Sequence, residues 1–133
     1  MKLRNQGGMT IIELLIVIFI ISMLFSVALP VTLRTYQRYM ASLEAEKVLV
    51  LMLTVQRESF ATGFDSYVRT VDGVMVVNNE KTPIPTAFAS LSWPIVFYGN
   101  GTTSGGEVIV YINDFTFVVT VTAPFADMSM TQG

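Results

Sequence analysis

From Met9 to Leu29 the chain runs for 21 residues with only Thr10, Glu13, Ser22 and Ser26 interrupting an apolar sequence. As a helix rising 1.5 Å per residue, that stretch spans about 31 Å, which matches the hydrocarbon core of a bilayer. The chain has 133 residues, so roughly 100 are left for anything globular, enough for one small core. Composition agrees: 52% hydrophobic, 14% charged and a mean hydropathy of +0.57 exceed what an ordinary soluble domain carries and are accounted for by one segment in lipid.

Glu13 is the anomaly in this run. An acidic residue at the centre of a membrane helix costs about 2.5 to 3.5 kcal/mol on insertion scales, and less near the helix end. Lys2 and Arg4 precede the apolar run, so a secretory signal peptide is the first reading by frequency. Four observations oppose it. The run exceeds the usual apolar region of about 7 to 15 residues. "SVALPVTLRT" is a weak small-residue cleavage site interrupted by Pro30. Glu13 is out of place in such a segment. The small residues suited to a peptidase, Gly7 and Gly8, lie before the run.

"GGMTIIELLIVIFIISMLFSVALP", residues 7–30, resembles the N-terminus of type IV pilins and pseudopilins, whose dedicated prepilin peptidase cuts after a glycine and methylates the new N-terminus. The resemblance places the cut between Gly8 and Met9, makes Glu13 the fifth mature residue and Pro30 the twenty-second, and assigns residues 1–8 to a cleaved leader. Met9 stands where the family most often has Phe.

Cleavage would expose an amine on Met9, and an amine and a carboxylate each buried alone in lipid are expensive, so the two invite pairing. Glu13 could fold back on its own N-terminus, where the helix dipole favours a negative charge. It could instead meet the Met9 amine of a neighbour, the assembly role the resemblance implies, and then a slip of one turn would leave both charges unpaired. A third arrangement has Glu13 snorkelling to the headgroups.

Pro30 is expected to kink the helix without ending it, because residues 31–62 contain no Gly or Pro before Gly63. The second half, 30–62, reads as amphipathic, with Leu33, Tyr36, Met40 and Leu43 on one side and Arg34, Arg38, Glu44 and Lys47 on the other. That apolar stripe is expected to be core. From Val48 to Val55 only Thr54 is polar, which predicts cover on both sides, by a sheet and by neighbouring subunits. Beyond Gly63 the period shifts toward two. "SYVRTVDGVMVVN" predicts a hairpin turning at Asp72 and Gly73, and Asn78 to Pro85 reads as loop. "WPIVFY", "GEVIVYIN" and "FTFVVTV" read as three further strands, joined by "GNGTTSGG" and by a tight connection at Asn113 and Asp114. Val108 to Tyr111 and Phe117 to Val119 are apolar on both faces, which predicts cover on both sides.

The expected class is α+β: a long kinked N-terminal helix, half transmembrane (9–29) and half amphipathic (30–62), packed on a small antiparallel sheet or sandwich (63–133). The strands from Pro94 onward are similar to the sheet domain of H-type minor pseudopilins (GspH) of type II secretion and FimT-like minor pilins. In departure from them, "APFADMSMTQG" ends soon after the last expected strand.

Chemistry is sparse. With no cysteine and no histidine, the chain lacks thiolate metal sites, disulfides and the commonest general base. "GNGTTSGG" lacks the lysine of a phosphate-binding loop and joins strands, so it reads as a flexible hairpin loop. Asp127 alone is a poor calcium site. Residues 82–133 contain no Lys or Arg, so phosphate neutralisation there is implausible and no nucleic acid is expected. Arg34, Arg38 and Arg57 are expected in solvated or inter-subunit pairs. No catalytic, cofactor or metal residues are assigned. The expected function is that of a minor pseudopilin of a type II secretion system, with a minor pilin of a type IV pilus or competence system as the alternative within the class, and a single-pass anchored enzyme or binding domain as the alternative outside it. Implied partners are other pilins, the prepilin peptidase, an inner-membrane assembly platform and the membrane itself, with no small-molecule substrate. The expected location is the inner membrane, with the C-terminal domain in the periplasm or outside a single membrane.

Overall fold

A computed structural model of the chain describes residues 7–81 and 88–133. The leader expected at 1–8 therefore lies outside the described residues except for Gly7 and Gly8, as do residues 82–85 of the expected loop.

One helix, α1, runs Ile11–Thr62 with Pro30 inside it. Thr10 starts it: its carbonyl accepts the Leu14 amide at 3.0 Å and its Oγ1 accepts the Glu13 amide at 3.2 Å, the bonding of an N-cap residue. Gly63 ends it with φ 72° and an amide bonded to the Ser59 carbonyl at 2.9 Å, a left-handed cap that glycine adopts without strain. Pro30 supplies no N–H, so the helix continues with one bond of its ladder missing. The hydroxyls of Ser22 and Thr32 donate to the carbonyls four residues earlier, at 2.7 and 2.9 Å. In an apolar stretch this satisfies them without an outside partner.

The chain divides into two units, Met1–Gln37 and Arg38–Gly133. In the first, every described residue is exposed, and the helix is long and apolar enough to cross a membrane. The second is the globular unit.

Two four-stranded antiparallel sheets make up the globular unit together with residues 38–62 of α1. The strands are β1 (Ser66–Val71), β2 (Val74–Val77), β3 (Glu80–Lys81), β4 (Phe88–Leu91), β5 (Ile95–Phe97), β6 (Gly106–Ile112), β7 (Phe115–Thr122) and β8 (Asp127–Gln132). The first sheet has the order β3-β2-β1-β5 and the second β4-β6-β7-β8. The hairpin at Asp72 and Gly73 forms as expected, with Val71 paired to Val74 and positive φ at both turn residues. The Asn113–Asp114 connection likewise joins β6 to β7, with Ile112 opposite Phe115.

The buried helix positions are Ala41, Ala45, Val48, Met52, Val55 and Ser59. Steps of four and three residues keep them on one face. They join Val68, Ile95 and Phe97 of the first sheet and Val108, Val110 and Val119 of the second in one core. The end of this stripe is polar and satisfied. Buried Ser59 donates to Ser66 at 2.6 Å, which also accepts from Asn78 Nδ2 at 3.3 Å.

Several expectations are corrected. Leu33, Tyr36 and Met40 are exposed, at 57%, 60% and 44%. Leu33 and Tyr36 fall in the first unit, where nothing packs on the helix, and Met40 is turned about 100° from the buried Ala41. The core face is instead built from Ala41, Ala45, Val48, Met52, Val55 and Ser59, whose small members Ala41, Ala45 and Ser59 let backbones approach. Loop was expected where β3 forms, and β4 and β8 were not anticipated. β8 lies in the tail read as ending after the last strand, yet it pairs along β7 from Asp127 to Gln132. "GNGTTSGG" turns back on β5, with Thr103 bridging Phe97 antiparallel and the Tyr98 amide bonded to the Thr102 carbonyl at 2.8 Å, but it does not join two paired strands: it carries the chain from β5 in one sheet to β6 in the other, and it is tied down. Thr103 Oγ1 donates to the Val96 carbonyl at 2.8 Å, and the Gly99 amide donates to Asp65 Oδ1 at 2.9 Å. The second sheet is covered on one face only: Val108, Val110, Phe117 and Val119 are buried, whereas Ile109 and Val118 are half-buried and Tyr111 is exposed.

Candidate processing and assembly segment

Gly7 and Gly8 precede α1 and are exposed, and a side chain added at either would meet nothing within 4 Å. Packing within the chain therefore places no demand on glycine at position 8. Met9 follows, 62% exposed, then Thr10 at the cap and Glu13 in the first helical turn.

The structure thus gathers the candidate residues 8 to 13 into the last extended residues before a helix and its opening turn. Glu13 lies three residues past the cap, the position at which a carboxylate also benefits from the unsatisfied amides and the positive end of the helix dipole. Thr10 is the capping position that the charge-centred reading passed over. Its signal was present as the pattern T-x-x-E ahead of an apolar run, a capping box. Met9 lies two residues before the helix and Glu13 in its first turn, so the two groups sit at the same end of α1.

Downstream, Ile21, Leu24, Phe25 and Ala28 line a shallow recess that is wholly apolar. The small Ala28 leaves space that a larger apolar side chain from outside would fill.

A second exposed apolar surface lies on the globular unit's part of α1. Val50, Leu53 and Phe60 are 58%, 43% and 65% exposed, on the side away from the buried stripe. Leu53, Gln56, Arg57 and Phe60 line an open groove there together with Gly101. Of the cover expected on both sides of Val48 to Val55, the chain itself supplies one side. Of the charges expected on the amphipathic half, Lys47 pairs with Glu44 at 2.8 Å. Arg34, Arg38 and Arg57 are exposed. Asp127 opens β8 at the surface.

Compared with known proteins, residues 3–29 match the family described as the prokaryotic N-terminal methylation motif. The matched stretch includes Gly8, Met9, Glu13 and the whole apolar run from Met9 to Leu29. That motif indicates a type IV pilin-like prepilin, a structural class recognised by prepilin peptidase, and with the apolar helix it fits a single-pass membrane-anchored protein. No curated protein and no solved structure matches the chain.

Proposed function

We propose that the chain is a minor pseudopilin that joins or initiates the short filament of a type II secretion system. In this reading residues 1–8 are a leader removed between Gly8 and Met9. Residues 9–29 hold the subunit in the membrane and later pack in the filament core, residues 30–62 continue the helix, and residues 63–133 are the exported domain. Glu13 pairs with the methylated Met9 amine of an adjacent subunit, Pro30 kinks the helix, and an inner-membrane platform feeds the subunit into the filament.

One observation carries this reading: the methylation motif brings Gly8, Met9 and Glu13 together at the mouth of a helix that then exposes about 20 apolar residues. A carboxylate at that place is costly in lipid and inexpensive beside an ammonium group. The absence of Lys and Arg from residues 82–133 argues against nucleic-acid capture by that part of the domain and so favours secretion over DNA uptake.

Mass spectrometry of the protein purified from membranes tests the reading. The expected N-terminus is Met9 carrying one added methyl group. An intact Met1, or a cut after residue 28 or later, would instead indicate an anchored or exported domain with no filament role. Deleting the gene separates the two filament systems: loss of an exported protein with pili retained supports secretion, and the reverse supports a pilus.

A further inference from the structure

Each of the two sheets ends in two edge strands, and two of these four edges, β5 and β4, are covered. β3 runs to the limit of the described residues at Lys81. β5 is bonded along its outer side by the following loop, where the Ser104 amide donates to the Val96 carbonyl at 3.0 Å and the Val96 amide to Ser104 Oγ at 3.0 Å. β4 turns its outward amides to the β1–β2 hairpin: Ala89 donates to the Gly73 carbonyl at 2.9 Å and Leu91 to Thr70 Oγ1 at 3.3 Å.

β8 is different. Its register sets Gln132 opposite Phe117, and the Gly133 amide bonds to the Thr116 carbonyl at 2.9 Å. In an antiparallel ladder the bonded pairs alternate. Asp127, Ser129 and Thr131 therefore bond to β7, and Met128, Met130 and Gln132 turn their N–H and C=O groups outward. Among the described residues nothing meets those six groups. The strand has no Pro and no Lys and six residues of regular pairing, with Asp127 at its start as its single charged side chain. Met128 and Met130 lean on the core and remain half-exposed, so the core is open along this margin.

We propose that β8 accepts an extended segment of another protein as a fifth strand of its sheet. Three donors and three acceptors at two-residue spacing specify a strand and nothing else. The side-chain rows specify its pattern. Apolar residues would lie beside Met128 and Met130 to close the core, and polar residues beside Asp127, Ser129 and Thr131. Glu107, Asp114 and Asp127 are all exposed, and the second sheet has no Lys or Arg within its described residues, so the incoming segment is basic by charge complementarity.

The test uses the full chain in detergent micelles and a synthetic seven-residue peptide alternating Val and Thr and ending in Lys, read by amide hydrogen exchange. At saturating peptide, exchange of Met128, Met130 and Gln132 is expected to slow by about tenfold or more, as for amides entering a ladder. The same peptide N-methylated at alternate residues should give no slowing, and one ending in Glu should bind more weakly. Met130→Pro removes an outward donor and none of the β7 bonds, so it should weaken peptide binding while the β6 and β7 amides stay protected. Absence of slowing, or equal slowing by the N-methylated peptide, would overturn the proposal. Slowing without peptide that grows with protein concentration would assign the edge to a second copy, and would overturn it too. The N-methylated control leaves the protein untouched, so the outcome does not depend on whether the Pro variant folds.

Discussion

Gly8 and Glu13 hold residue types that the fold of a single chain does not require. A side chain at position 8 would stand in open space, so Gly8→Leu should leave the helix and sheets intact while preventing removal of the leader. An unchanged mature mass for that variant would sink the cleavage assignment. Glu13→Ala removes the charge but not the cap, since the Glu13 amide bonds to Thr10 whatever its side chain. Processing should therefore persist while incorporation into filaments falls, measured as the fraction of mature subunit recovered in sheared filaments. Glu13→Gln, isosteric and neutral, should fail in the same way if charge pairing is the cause. Gly8 and Glu13 drew the reading of the sequence because each is improbable where it stands, a glycine pair ahead of an apolar run and an acid inside one, whereas Met9 entered only through the resemblance to pilins. Thr10 was harder to see because a threonine at a helix start is ordinary, and only its three-residue spacing to Glu13 distinguishes it.

Among the elements, α1 was legible in extent and misread in orientation. Its length followed from the absence of Gly and Pro between Pro30 and Gly63, but helical spacing alone suggested the face of Leu33, Tyr36, Met40 and Leu43, of which only Leu43 is even partly buried, whereas burial selected Ala41, Ala45, Val48, Met52, Val55 and Ser59. The upper part of that stripe, Ala41 and Ala45, is small and stands out little, and its lower part, Val48, Met52 and Val55, lies in a segment apolar on every side, so neither part marked the face. Met52 is fully buried, so Met52→Ala should cost about 2 to 5 kcal/mol, whereas Leu33→Ala should stay within roughly 0.5 kcal/mol. Chemical denaturation in detergent micelles distinguishes them, and equal effects would mean that the core face is wrongly placed. The strands show a similar limit. β6 and β7 announced themselves through β-branched and aromatic runs. β8, "DMSMTQ", has the correct period, with Met128 and Met130 inward and Ser129 and Thr131 outward, but lacks the residue types that flag a strand; β7 imposes its structure by pairing along its length. Gly99 also reveals itself only in three dimensions: a Cβ there would overlap the Gly63 carbonyl at the end of α1, a close approach between residues distant in sequence.

At the level of the whole molecule, the division of labour between chain and surroundings is visible in what the chain leaves uncovered. The globular unit buries one stripe of α1 and exposes another, at Val50, Leu53 and Phe60, while the first unit covers none of its apolar residues. Lipid can take the apolar residues of the first unit, whereas Leu53 and Phe60 share an open groove with Arg57, and in the proposed filament role a neighbouring subunit covers this stripe. Phe60→Glu tests this at one point. The side chain is 65% exposed, so stability should change by no more than about 0.5 kcal/mol, and both leader removal and membrane insertion should proceed, because neither uses position 60. A carboxylate placed in an apolar contact would instead be desolvated without a partner, at a cost of several kcal/mol, and incorporation into filaments should drop at least tenfold while the mature subunit accumulates in the membrane. If Phe60→Glu enters filaments as readily as the unmodified chain, the outward stripe is a free surface, and assembly rests on the membrane half of the helix alone.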